Sequence, residues 1–186
     1  MCGVTGIYAF NDNGKTYLDK TADAAKTLIQ RGPDGHGIYT DRNIALGHTR
    51  LAVIDPTEAG AQPFSDNTGR YTIVFNGEFY NFREHRNKLG KEGFTFRSAS
   101  DTEVLLNLYI QKGPSCLDDI NGCFAFAVYD KTEESLFIAR DRMGINPMLY
   151  YLDSDKLIFG SEMKALLAFG IPRKIDTASL YTYLQL

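Results

Sequence analysis

The chain has 186 residues, 44% of them hydrophobic, and a formal net charge of -3. That length holds one domain with a substantial core or two very small ones, and the weak negative charge offers no electrostatic footprint for nucleic acid or another polyanion. No stretch reaches the apolar length of a membrane span, and the start lacks the basic and apolar regions of a secretion signal, so a cytoplasmic protein without membrane contact is expected.

The first segment, Met1-Cys2-Gly3 followed by VTGIYAF, reads as a core strand ending at the turn NDNG. Leu18, Ala22, Ala25 and Ile29 recur at helical spacing and predict one buried helical face. Gly47 to Ile54, GHTRLAVI, is an apolar stretch broken by Arg50. RYTIVFNG predicts a strand with Asn76-Gly77 at its end, the strongest short hairpin signal. Asn81 with Glu84 forms a candidate capping box ahead of FREHRNKL. Ser100 with Glu103 forms a second one ahead of VLLNLYIQ, a helix that Gly113-Pro114 stops. Cys116 is expected in a helix and Cys123 in the strand FAFAVYD, both as small buried hydrophobes. SLFIARD, MLYYLD and KLIFGS follow as strands at hairpin spacings, and EMKALLAF as a helix ending at Gly170. The closing segment DTASLYTYLQL begins with helical caps and stops on an apolar residue, so residues 1–186 are expected to be the N-terminal part of a longer protein. Meanders and hairpins, without regular strand-helix alternation, predict antiparallel sheets covered by helices.

Four stretches could carry chemistry. Cys2 places a thiol beside an α-amine, and a neutral amine can take the thiol proton, so one residue would supply nucleophile and base. The competing reading is an incidental small residue after methionine. Asn76-Gly77 is either a turn or a side-chain amide and an unobstructed backbone N–H, the donors an oxyanion hole requires. Arg50 is either a surface residue on a half-exposed strand or a fork for a carboxylate. Asp101 is either part of a helix cap or a carboxylate for a substrate ammonium. The three cysteines and three histidines fall in no metal-ligand spacing, and no metal site is expected.

Met1-Cys2-Gly3, RGPDG from Arg31, GHTRLAVID from Gly47, GAQPF from Gly60, FNGEFYNFREHR from Phe75, SDTEVLL from Ser100, ARDRMGINPMLYY from Ala139 and SEMKALL from Ser161 succeed one another along the chain. In that order they resemble the glutamine-hydrolysing domain of class II amidotransferases, in its asparagine synthetase branch. The resemblance implies an α+β fold of the N-terminal-nucleophile hydrolase type, a four-layer αββα sandwich of two antiparallel sheets, as a single domain over residues 1–186. It implies Cys2 as nucleophile and Asn76 with Gly77 as oxyanion hole. Arg50 would bind the α-carboxylate of L-glutamine, Asp101 and Glu78 its α-ammonium region, and backbone around Leu51 and Val53 would line the pocket. No cofactor is implied in this domain; ATP and Mg²⁺ are implied in a C-terminal synthetase domain of the same protein, its partner in asparagine synthesis. A homodimer is left open, as are a sugar or polysaccharide acid as ammonia acceptor and a glutamine-binding module without turnover. Thr49, Asn146 and Met148 depart from the residues common at their positions. They lie outside the implied chemistry and bear on partner contacts instead.

Overall fold

A computed structural model describes residues 1–185. Among these residues nine strands form two sheets. The first sheet combines β1 (Gly3–Ala9), β2 (Gly35–Asp41), β3 (Ile44–Arg50), β8 (Leu149–Leu152) and β9 (Lys156–Gly160) in the order β2-β3-β1-β9-β8. The second runs β4 (Phe64–Ser65), β5 (Tyr71–Phe79), β6 (Gly122–Asp130) and β7 (Ser135–Arg140) in sequence order. Every neighbouring pair of these strands is antiparallel.

Three apolar clusters separate four layers. Val4, Ile44, Leu46 and Phe159 of the first sheet meet Val74, Ala127 and Tyr129 of the second. On the outer face of the first sheet, Ile7, Ala45 and Ile158 pack against Leu28, against Ala24 of α2 (Thr21–Lys26), which follows the one-turn α1 (Asp12–Lys15), and against Ala165 and Leu166 of α5 (Met163–Ala168). On the outer face of the second, Ile73, Phe75, Phe126 and Val128 pack against Leu89 of α3 (Phe82–Lys91) and Leu105 and Leu108 of α4 (Asp101–Lys112). This is the expected αββα sandwich. Because both faces of the central strands are covered, β1 and β6 are apolar almost throughout instead of alternating.

Strand periodicity also aims the polar groups. Val4 and Val74 point between the sheets, and residues two apart on a strand share a face. Cys2, two residues before Val4, and Asn76, two after Val74, are therefore directed into the same seam. Gly3, next to the thiol, has no room for a side chain: a Cβ there would lie 2.6 Å from Thr49 Oγ1 and 2.8 Å from Leu28 Cβ.

Several local expectations are corrected. Asn76-Gly77 is not a hairpin turn; β5 continues through it to Phe79, with Gly77 opposite Phe124 and Glu78 opposite Cys123. The glycine is required by close approach, since a Cβ at Gly77 would lie 2.4 Å from the Cys123 carbonyl oxygen. The segment from Leu18 is a 3₁₀ turn followed by α2, and this change of pitch rotates the buried face onto Thr21, Ala24, Ala25 and Leu28, leaving Ile29 exposed. Asn81 does not cap α3. Its amide instead donates to the Asp119 carbonyl (2.9 Å) and accepts from Asn121 N–H (2.9 Å), tying the helix start to the approach to β6. Ser100 does cap α4, accepting from Thr102 N–H at 3.0 Å. Glu103 folds back onto Arg97 N–H and Ser98 N–H, 3.0 and 2.8 Å away, so the box is not reciprocal. Arg50 ends β3, and Leu51 to Ile54 leave the sheet.

Cys116 is fully buried in a 3₁₀ helix, Gly113–Asp118, where burial pushes its thiol up to about 12. Gly170, with φ of +78°, follows α5 in the left-handed conformation suited to a helix end. The last helix, α6 (Thr177–Tyr183), is capped by Asp176 and buries none of its residues. No helix among the described residues is long and apolar enough to cross a membrane.

Candidate active site

A cavity of about 200 Å³ opens where the inter-sheet seam meets the start of β1. Cys2, Arg50, Leu51 and Val53 border it from the first sheet and the loop after β3. Asn76, Gly77 and Glu78 border it from β5, and Asp101 from the first turn of α4. All eight residues singled out in the sequence thus share one cavity.

Cys2 is fixed by its neighbours. Its carbonyl accepts from Arg31 Nε at 2.8 Å, and the Arg31 guanidinium is anchored to Glu162 at 3.0 Å. Its Sγ accepts from Leu51 N–H at 3.4 Å. Burial raises the thiol above its ordinary value, although the Leu51 N–H, the terminal ammonium and the Arg50 charge act the other way. A thiol raised in this way is protonated at neutral pH and needs a base before it can attack. His48 cannot be that base: it is fully buried behind the cavity, its Nε2 lies 3.2 Å from the Phe75 carbonyl, and burial lowers it to about 4.

Arg50 is held by the loop that follows β3. Its Nη1 donates to the Thr57 carbonyl at 2.8 Å and its Nη2 to the Asp55 carbonyl. Asp55 organises that loop, accepting from Thr57 Oγ1 (2.6 Å), Thr57 N–H (3.0 Å) and Ala99 N–H (2.8 Å), contacts that keep its carboxyl below the usual range. Two guanidinium nitrogens are thus spent on carbonyls, which orients the plane of the fork without neutralising its charge.

Asp101 lies on the cavity wall with Oδ2 accepting from Phe79 N–H at 3.2 Å. Burial raises its pKa to about 6, and the nearby Glu78 carboxylate adds to the shift. The cavity therefore has a cationic side at Arg50 and an acidic side at Asp101 and Glu78. Asn76 is 1% exposed, and its Nδ2 donates to Asn146 Oδ1 at 3.2 Å.

A family model described as the glutamine amidotransferase domain matches residues 1–186. The chain belongs to that family. Asparagine synthetase [glutamine-hydrolyzing] 3 of Bacillus subtilis (strain 168) is 41% identical over 186 residues, an alignment covering 97% of this chain and 30% of that protein. Asparagine synthetase B [glutamine-hydrolyzing] of Escherichia coli (strain K12) is 38% identical, over 100% of this chain and 33% of that protein. The chain thus spans about a third of the length of these curated relatives. Among solved structures, glutamine phosphoribosylpyrophosphate amidotransferase from B. subtilis superposes with a TM-score of 0.73 at 24% identity, over 91% of this chain and 44% of that one. That likeness carries the fold alone.

Three residues of this amidotransferase domain lie at the site without having been singled out as site residues. Gln62 links β5 to α4, its Oε1 accepting from Phe75 N–H (2.7 Å) and its Nε2 donating to Thr102 Oγ1 (3.1 Å). Asn146 is buried on the cavity, where the sequence reading had placed it outside the chemistry. Cys123 is half-buried on the same cavity, with Sγ accepting from Tyr80 O–H at 3.4 Å, so it is not the core hydrophobe expected. Among the described residues no group of three His, Cys, Asp or Glu side chains is placed to hold a metal ion.

Proposed function

We propose that this domain hydrolyses L-glutamine to glutamate and ammonia through a γ-glutamyl thioester on Cys2. The observation that carries the reading is the polarity of the cavity. A thiol faces the seam beside a buried carboxamide, with a cation on one side and carboxylates on the other, which fits an α-amino acid bearing a side-chain amide. Arg50 takes the α-carboxylate, and Asp101 with Glu78 takes the α-ammonium. The free α-amine of Cys2, exposed once Met1 is removed, accepts the thiol proton. The sulfur then attacks the amide carbon, and the C–O π electrons move onto oxygen, where Asn76 and Gly77 donate to the oxyanion. As the tetrahedral intermediate collapses, the C–N bond breaks and the α-ammonium returns the proton to departing ammonia. Water, deprotonated by the same amine, adds to the thioester, and glutamate leaves with the thiol restored.

The relatives named glutamine-hydrolysing asparagine synthetases support a destination for the ammonia. In the full-length protein it would serve asparagine formation from aspartate, with ATP and Mg²⁺ held by a C-terminal domain. Incubating the purified domain with glutamine and measuring glutamate and ammonia tests the hydrolysis. Substoichiometric glutamate with tight glutamine binding would favour a binding module instead.

Arg50→Ala and Asn76→Ala are expected to fail in different ways. The guanidinium holds the α-carboxylate in ground state and transition state alike, so its loss raises KM with kcat nearly kept. The Asn76 donor acts on charge that exists only near the transition state, so its loss lowers kcat by roughly 10²–10³-fold. Steady-state kinetics on both variants separates the two. Equal KM defects with unchanged kcat would remove Asn76 from the oxyanion hole.

Binding should also depend on pH through Asp101. With a pKa of about 6 in the empty site, this carboxyl is protonated below that value and cannot pair with an ammonium. Glutamine affinity should therefore rise as pH increases through about 6, by up to roughly tenfold per unit on the acid side. Titrating glutamine into the Cys2→Ala variant from pH 5 upward isolates this ionisation from that of the thiol. Asp101→Asn should bind weakly with no such slope; a slope that persists in it would assign the ionisation elsewhere. The linkage to folding has the opposite sign. A carboxyl raised above its unfolded value of 3.8 makes the folded state lose stability as pH climbs from there through about 6.

A further inference from the structure

Asn146 lies in the loop between β7 and β8, 70 residues from Asn76 in sequence, yet the two carboxamides meet at 3.2 Å on the cavity wall. Both residues are 1% exposed. The loop is folded onto the seam by Asp141. Its Oδ2 accepts from Asn146 N–H and from Phe124 N–H, each at 3.1 Å, and its Oδ1 accepts from Ile145 N–H at 3.0 Å. Arg140 Nε then donates to the Asn146 carbonyl at 3.1 Å. Phe124 is the β6 residue paired with Gly77. One carboxylate therefore braces the strand residue opposite Gly77 and, through Asn146, the amide of Asn76.

We propose that Asn146 is a positioning residue for glutamine hydrolysis, acting through Asn76. Its Oδ1 accepts one hydrogen of the Asn76 Nδ2 group and leaves the other for the oxyanion. The same acceptor opposes a flip of the Asn76 amide alone, because with Asn146 in its present orientation that flip would set two carbonyl oxygens against each other. A donor held before charge develops needs no reorganisation when it does, and this is where its catalytic effect arises. The inference rests on the reading of Asn76 as an oxyanion donor. It adds a residue whose influence should be visible in turnover and not in substrate affinity.

Asn146→Leu and Asn146→Ala remove the acceptor while keeping the backbone bonds to Asp141 and Arg140, so the loop should retain its fold. Each variant is expected to lower kcat roughly tenfold, the order of one lost hydrogen bond, with KM within about twofold of wild type. The decisive measurement is the cycle with Asn76→Ala. If Asn146 acts through Asn76, the double variant turns over no more slowly than Asn76→Ala alone. Wild-type kcat in both Asn146 variants, beside an impaired Asn76→Ala, overturns the positioning role and leaves the oxyanion hole standing. So does a double variant that shows the full product of the two defects, or an Asn146 defect expressed in KM alone. Wild-type kcat in Asn76→Ala overturns the oxyanion reading itself and the positioning role with it.

Discussion

Cys2→Ala is expected to release no measurable glutamate while binding glutamine within a few-fold of wild type. The side chain sits at the mouth of the seam and makes two weak hydrogen bonds, both to Leu51: its sulfur accepts from the N–H at 3.4 Å and donates to the carbonyl at 3.7 Å. Its removal takes little packing from the core, and the groups assigned to carboxylate and ammonium remain. The chemistry has no substitute for the sulfur, so turnover should fall by roughly 10⁴-fold or more, as it does when a covalent nucleophile is deleted. Cys123 makes the control informative, because it is a second thiol on the same cavity. It lies on β6 opposite Glu78, beside the acidic side of the pocket, and its sulfur already accepts from Tyr80 O–H. Cys123→Ala should keep most of the activity. The reverse pattern, loss in Cys123→Ala and turnover in Cys2→Ala, would move the nucleophile to β6. Glutamine titration by calorimetry and a glutamate assay on the two variants settle the assignment.

Most of the strands were legible because they carry runs of β-branched and aromatic residues between turn signals, as in YTIVF and FAFAVY. The layering was not. A strand buried on both faces loses the alternation that would say which residues face which layer, and GCFAFAVYD is such a strand. β2, Gly35–Asp41, escaped notice for a different reason: it is an edge strand with two glycines and only alternate residues half-buried. Asn76-Gly77 shows tertiary pairing prevailing over local propensity. As an isolated dipeptide it turns; between β4 and β6 the nine-residue strand gains more by continuing, and the glycine is needed for contact with β6.

At the site, Cys2, Arg50, Asn76 and Asp101 could be singled out because their residue types at a strand start, a strand end or a helix cap allow a chemical reading beside a structural one, and the order of the motifs around them favoured the chemical one. Gln62, Asn146 and Cys123 could not. Their parts depend on contacts across 13, 70 and 43 residues of sequence, to Phe75, Asn76 and Tyr80 respectively. An asparagine in ARDRMGINP looks like loop chemistry until Asp141 is seen folding that loop over Phe124.

Retention of Met1 is expected to silence the domain, and its removal to activate it with no other change. With methionine in place the nitrogen of Cys2 is an amide. An amide cannot take the thiol proton or return it to ammonia, whereas a free α-amine titrates at about 7.7–8.0 and can do both. The need is acute here because burial raises the thiol, and the His48 imidazole, buried between the two sheets against the Phe75 carbonyl, is held neutral. Met1 also lines the cavity while remaining 61% exposed, so its removal clears the thiol side of the pocket without opening the core. Cysteine at the second position is small enough for an aminopeptidase to cleave before it. Two preparations, distinguished by intact mass as methionine-retained and methionine-free, should differ in glutaminase activity by orders of magnitude but share one unfolding midpoint. Treating the retained form with a methionine aminopeptidase should raise its activity in proportion to the mass conversion. Equal turnover by both forms would show that the free amine is not the base and that the proton leaves the thiol by another route.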